Sequence, residues 1–217
     1  MSRNPVEERL LGFDARELWL DEEREWPSSR RGLYLLREDV RKPLAVDPWV
    51  WPSVFGAGLP EHERERLGLS EADLPGWRGP NAPLWEDLER MRGCLDSLGA
   101  VRKQPFAEIA VSWHWDGRPP EGTWLGGPYR EETVPSVREE GWRFLGYDVA
   151  DGGFISGLGN CGYTDTEAPE LRSHWAGLLN EHHLLGELEQ ALAFRDLSDR
   201  RVPEHAPFFV FGLWRID

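Results

Sequence analysis

The chain has 217 residues, 12 of them tryptophan, and a net charge of −14 from 25 Lys+Arg against 39 Asp+Glu. With 40% hydrophobic residues it can bury a sizeable core and is not a disordered chain. The acidity argues against direct binding to nucleic-acid phosphates, and no apolar run approaches the roughly 18–20 residues of a membrane-spanning helix.

The first eight residues are polar, so no secretion leader is expected. Two cysteines, Cys94 and Cys161, are too few for a disulfide framework and suit a reducing compartment. A cytoplasmic location follows as an expectation. Pro27, Pro43, Pro48, Pro52, Pro60, Pro75 and Pro80 break up the first 80 residues. A short strand over 32–36 and a short helix over 61–67 are the only regular elements expected there.

The clearest helix is predicted over 81–98. Pro83 suits its first turn, Leu84, Leu88, Met91, Leu95 and Leu98 form an apolar stripe, and Gly99 stops it. Residues 107–115 alternate, with Ile109, Val111, Trp113 and Trp115 on one face and Glu108, Ala110, Ser112 and His114 on the other. That pattern predicts a half-buried strand. A Gly/Pro-rich loop follows over 116–128. A strand is expected over 142–149, with a turn at Asp151-Gly152 and a continuation to Ser156. Leu171, Trp175, Leu178 and Leu179 mark one short helix, and 184–197 another. The apolar run 208–216 reads as a buried central strand. These elements predict a single α+β domain over 1–217. In it helices pack on a mostly antiparallel sheet, with long Pro/Gly-rich loops and an irregular part over about 1–80.

Four groupings could carry chemistry. Gly157, Gly159 and Gly162 fit the G-x-G-x-x-G spacing of a dinucleotide site, but an acidic, turn-rich segment follows where a helix N-terminus is needed. They read instead as a tight Gly-rich loop. Cys161 within that loop would need a histidine base to act as a nucleophile, and nothing in the sequence places one. The adjacent His182 and His183 point apart on any regular element, so no metal site is expected. Glu204-His205 precedes the last strand, where a local capping or hydrogen-bonding role is expected. Asp148 and Asp151, with Asp165, Glu167 and Glu170 downstream, read as an acidic edge, solvated or docked to a basic protein. Of the tryptophans, Trp85, Trp113, Trp115, Trp175 and Trp214 fall on core-like faces. Trp49, Trp51, Trp77 and Trp124 fall in loops, where they either pin the loop or form an interface.

Three segments carry a resemblance: Phe-Leu-Gly-Tyr-Asp-Val-Ala-Asp at 144–151, Ser-Gly-Leu-Gly-Asn-Cys-Gly-Tyr at 156–163, and Val-Pro-Glu-His-Ala-Pro-Phe-Phe-Val at 202–210. Across about 142–217 the chain resembles the small bacterial immunity proteins encoded beside polymorphic toxins. The resemblance implies a cytoplasmic, acidic, cofactor-free α+β protein that binds one toxin domain. The expected function is therefore non-enzymatic binding of a protein partner, a basic toxin domain. The surface would carry Asp148, Asp151, Asp165 and Glu167 together with Trp124, and no cofactor, metal, membrane or nucleic acid is expected to take part. Two other readings remain open: a hydrolase- or transferase-type enzyme centred on Cys161 or on Asp148 and Asp151, and a DNA mimic. The 25 interspersed cations weaken the mimic.

Overall fold

The computed structural model describes residues 7–17, 65, 84–85, 87–98, 106–115, 140–158 and 168–216. In chain order these form β1 (Glu7–Glu17), α1 (Leu88–Leu98), β2 (Phe106–Trp115), β3 (Arg143–Asp151), α2 (Ala168–Trp175), a 3-10 turn (Ala176–Leu178), α3 (Leu188–Arg201) and β4 (Phe208–Arg215). The four strands make one antiparallel sheet in the order β1-β2-β4-β3, with helices packed on it, an α+β arrangement. The expected strand over 32–36, the Pro-rich segment and the loop at 116–128 lie outside the described residues, as does the helix at 61–67 except for helical Glu65.

The sheet is buried on both faces. One face carries Leu11, Ala107, Ile109, Val111, Trp113, Leu145, Phe209, Phe211 and Leu213, with Phe154 and Leu184 packed against it. The other is split between two helical packs. Met91 and Leu95 of α1, with Trp85, cover Phe13, Ala15, Ala110 and Trp214. Leu171 and Trp175 of α2, with Ala191 and Phe194 of α3, cover Val149, Phe208 and Val210. This corrects the half-buried expectation for β2. Ala110, Ser112 and His114, read as its solvent face, are all buried, because β2 lies between β1 and β4 with α1 packed across it. The terminal run is central as expected, and burial on both faces explains its continuous apolarity.

Two helix starts differ from the sequence expectation, each because the backbone is used elsewhere. Trp85 N–H and C=O both bond to Phe13, at 2.7 and 2.8 Å, so this segment extends the edge of β1 rather than a helix. Helix α1 begins after Asp87, whose Oδ1 accepts from Arg90 N–H at 2.9 Å as an N-cap. Leu185 likewise exchanges two backbone bonds with Tyr147 on the edge of β3, so α3 begins at Leu188 rather than near 184. Both edge strands are thus partly paired, which blunts edge-to-edge association. At β3 this needs a bulge at Gly146. Its φ is +141°, and an added Cβ would lie 2.6 Å from Leu184 Cβ and 3.0 Å from Leu185 O.

Strand β1 is absent from the sequence expectation. Its inner face carries Asp14 and Arg16, a buried ion pair. A bulge between Leu10 and Gly12 also shifts the alternation, so that Leu11 and Phe13 face opposite sides. Charged residues in a broken period give no legible strand signal.

Candidate functional site

The β3 hairpin turn and the segment entering β4 come together at one end of the sheet. Asp151 ends β3 and is 6% exposed. Its Oδ1 accepts from Gly153 N–H at 2.8 Å and Ile155 N–H at 2.9 Å, an Asx-type closure of the turn. Its Oδ2 lies 2.9 Å from His205 Nδ1, across 54 positions of sequence. A carboxylate acceptor places the imidazole proton on Nδ1 and leaves Nε2 as the ring's acceptor. The His205 side chain is 34% exposed. Asp148, one turn of the pleat earlier on the opposite side, is fully buried and accepts from Ser156 Oγ at 2.6 Å and from Val149 N–H at 2.8 Å. Ser156 Oγ in turn accepts from Leu158 N–H at 3.2 Å. Asp199 on α3 takes Phe208 N–H at 2.7 Å, tying the helix to the start of β4.

The structure therefore brings Asp151 together with His205 and Asp148 with Ser156. Neither aspartate is at the surface, so neither carboxylate is placed to touch a partner. Their hydrogen bonds hold the turn and the hairpin. Asp165, Glu167, Trp124 and Cys161 lie outside the described residues, as do the loop tryptophans Trp49, Trp51 and Trp77. Of the glycine motif, Gly157 is described. Its N–H bonds to Val149 O at 2.7 Å, so it continues the hairpin. Trp85, Trp113, Trp175 and Trp214 are buried as core.

A second polar cluster lies on the helix-covered face, where the packs of α1 and of α2 and α3 meet. Glu8, His114 and Val210 stand in one row across the strands, and Leu10, Ser112, Gly212 and Tyr147 in the next. Ser112 Oγ donates to Glu8 Oε1 at 2.8 Å and accepts from Trp214 Nε1–H at 3.2 Å. His114 Nε2 lies 3.6 Å from Glu8 Oε1, and its ring meets Tyr147 edge-to-face at 5.1 Å. At 6% exposure, neither ring nitrogen of His114 has a hydrogen-bond partner among the described residues. Gly212 makes this convergence possible, because a Cβ there would lie 2.5 Å from Ser112 Oγ. Sequence reasoning missed the cluster because it missed β1, which supplies Glu8.

A third group sits at the other end of the sheet. Arg143 of β3 and Arg215 of β4 are directly opposed in the register. The turn carrying His182 is bound to β3 through Asn180, whose Nδ2 donates to Leu145 O at 2.7 Å. Burial pushes the His182 imidazole below its ordinary range. Glu181, 3.4 Å away, pulls it up, and Arg143 and Arg215 push it further down.

Charge on the described surface is one-sided. Its exposed charged residues are the acidic Glu65, Asp87, Glu89, Asp96, Glu140, Glu170, Glu181, Glu187, Glu189 and Glu204, against Arg90, Arg143, Arg200 and Arg201. Among the described residues no three His, Cys, Asp or Glu side chains gather as metal ligands, and no helix is long and apolar enough to cross a membrane. Comparison with protein-family models, with curated proteins and with solved structures finds no match.

Proposed function

We propose that this chain is a non-enzymatic binding protein that neutralises a basic bacterial toxin domain, in the manner of an immunity protein. The observation that carries this reading is the exposed charge, ten acidic side chains against four arginines over the described surface. Such a field speeds encounter with a cationic partner and sets its orientation. The similarity of residues 142–217 to immunity proteins supplies the toxin as the partner class. Asp165, Glu167 and Trp124 remain the proposed contact residues. Asp148 and Asp151 are assigned instead to holding the hairpin beside them.

The test looks for a toxin domain encoded beside the gene, co-expresses it with this chain and measures binding of the purified pair; a neighbourhood with no such domain would overturn the proposal. Rescue of growth is expected, with affinity falling about tenfold or more between 50 and 300 mM salt, as salt screens the solvent-exposed charges that attract the two partners. Reversing Asp165 and Glu167 to Lys should weaken the complex further. Absence of rescue, or affinity indifferent to both salt and charge reversal, would overturn the proposal.

The Asp151–His205 pair favours a second reading. A partly exposed imidazole oriented by a buried carboxylate is the arrangement of a general base. Under that reading His205→Gln abolishes an activity while leaving the melting temperature in place.

A further inference from the structure

We propose that Asp151-Gly152 is a modification site, where aspartate converts to isoaspartate through a cyclic imide, and that the β3 hairpin holds this chemistry off while its turn is closed. The site is independent of the acidic docking surface, and its test does not involve the toxin.

Aspartate followed by glycine is the pair most prone to this conversion, because glycine has no side chain to block the approach of its nitrogen and its backbone rotates freely. Two such pairs occur in the chain, Asp116-Gly117 and Asp151-Gly152. At Asp151 the main-chain nitrogen of Gly152 attacks Cγ of the carboxyl group in its acid form. A C–N bond forms, and the carboxyl hydroxyl leaves with the amide hydrogen as water. A second water then opens the imide. Addition at Cγ restores aspartate. Addition at the former main-chain carbonyl gives isoaspartate, whose backbone runs through Cγ and whose α-carbon carries the free carboxylate. Nothing is oxidised or reduced.

Four hydrogen bonds stand against the first step. Bringing the Gly152 nitrogen onto Cγ requires rotation about the Asp151 Cα–C bond, and the Asp151 carbonyl is held by Phe154 N–H at 3.0 Å. Oδ1 is held by Gly153 N–H at 2.8 Å and by Ile155 N–H at 2.9 Å, and Oδ2 by His205 Nδ1 at 2.9 Å. Neither oxygen can leave, nor Cγ turn, without parting from a donor. Gly152 and Gly153 are buried with Asp151, so the water that opens the imide is also kept away. Each bond that must open slows ring closure by about twofold to tenfold, and the four together by about twentyfold or more.

Isoaspartate cannot rebuild this turn. The backbone between Ala150 and Gly152 is longer by one carbon, and the carboxylate no longer stands on the arm that reaches Gly153, Ile155 and His205. The closure that seats Phe154 on Phe211 goes with it. A transient opening of the turn is thereby turned into a permanent change of the chain.

The experiment incubates the whole protein at neutral pH, folded and in guanidinium, and maps both Asp-Gly pairs by mass spectrometry with electron-transfer fragmentation, which distinguishes the two isomers. In guanidinium Asp151 and Asp116 should convert at comparable rates. In the folded protein conversion at Asp151 should be slower by about twentyfold or more. His205→Ala removes the Oδ2 contact and leaves the Oδ1 bonds. It should raise the folded rate about threefold, after the unfolded fraction measured in parallel is subtracted. Conversion of Asp116 without Asp151 in guanidinium would overturn the site. Equal rates at Asp151 in folded and unfolded protein, or a folded rate in His205→Ala equal to wild type, would overturn the protection by the turn.

Discussion

Asp151 tests whether the inward carboxylates are structural ties. Replacing Asp151 with Ala removes the acceptor for two backbone donors, Gly153 N–H and Ile155 N–H, and the partner of His205 Nδ1. Each donor stranded away from water costs about 1–3 kcal/mol. The turn also holds Phe154 at φ +62°, a left-handed conformation that is unfavourable for a bulky residue. Phe154 is nonetheless seated there, stacked on Phe211 at 5.1 Å, because the Asp151 bonds close the turn around it. Taking about 1.5 kcal/mol for each of the two donors, and somewhat less for the half-exposed imidazole, Asp151→Ala should lose about 3–4 kcal/mol. Asp151→Asn keeps Oδ1 for both backbone donors and turns an amide towards Nδ1, which then becomes the ring's acceptor. It should lose only about 1 kcal/mol, the charge-assisted part of the bond. Urea unfolding followed by tryptophan fluorescence measures both, read at constant m-value. If Asp151→Ala lies within about 0.5 kcal/mol of wild type, or Asn and Ala cost the same, the backbone donors are not what the carboxylate is holding.

Three further outcomes follow from the same packing. Gly146→Ala places a Cβ 2.6 Å from Leu184 Cβ at a positive φ, so it should destabilise by about 2 kcal/mol or more and raise exchange of the Tyr147 and Leu185 amides first. Phe194→Ala empties a fully buried site against Trp175, whose ring lies 5.0 Å away, and should cost about 3–5 kcal/mol in chemical unfolding. His182 has a depressed affinity for protons when folded, so as pH falls through its unfolded value of about 6.5 the unfolded chain binds more protons and stability is lost as pH drops. His182→Gln should remove that component, and an identical slope of stability between pH 7 and 5.5 in variant and wild type would refute it.

Strands β2, β3 and β4 were legible because burial on both faces or strict alternation leaves few other readings for 107–115, 142–149 and 208–216. Starts of helices were less so. Leu84 and Leu184 continue an apolar stripe in sequence, yet their neighbours Trp85 and Leu185 are held to strand edges by backbone bonds that no periodicity reports. Strand β1 was illegible because a bulge breaks its period and Asp14 and Arg16 point inward. Both polar clusters depend on strand pairing. Glu8 meets Ser112 across 104 positions, and Asp151 meets His205 across 54. Local sequence gave His205 a capping role because its true partner is assembled only when β3 and β4 pair.

Among the described residues, the fully inward and the exposed carboxylates have different consequences. Asp14 pairs with Arg16, Asp148 with Ser156 and its own strand, and Asp151 with His205 and its turn. Each inward oxygen set has internal donors, as burial of a charge requires. A carboxylate so engaged cannot also meet a partner, since turning outward would strand those donors. Under the proposed binding function, association draws on the outward population, including Glu89 and Asp96 on α1 and Glu187 and Glu189 at the start of α3. Substitutions in the first population act through the folded state, and loss of binding there reports unfolding. Substitutions in the second act on encounter and salt dependence at unchanged stability. That separation lets a docking surface be mapped on a chain whose acidic residues would otherwise all look alike.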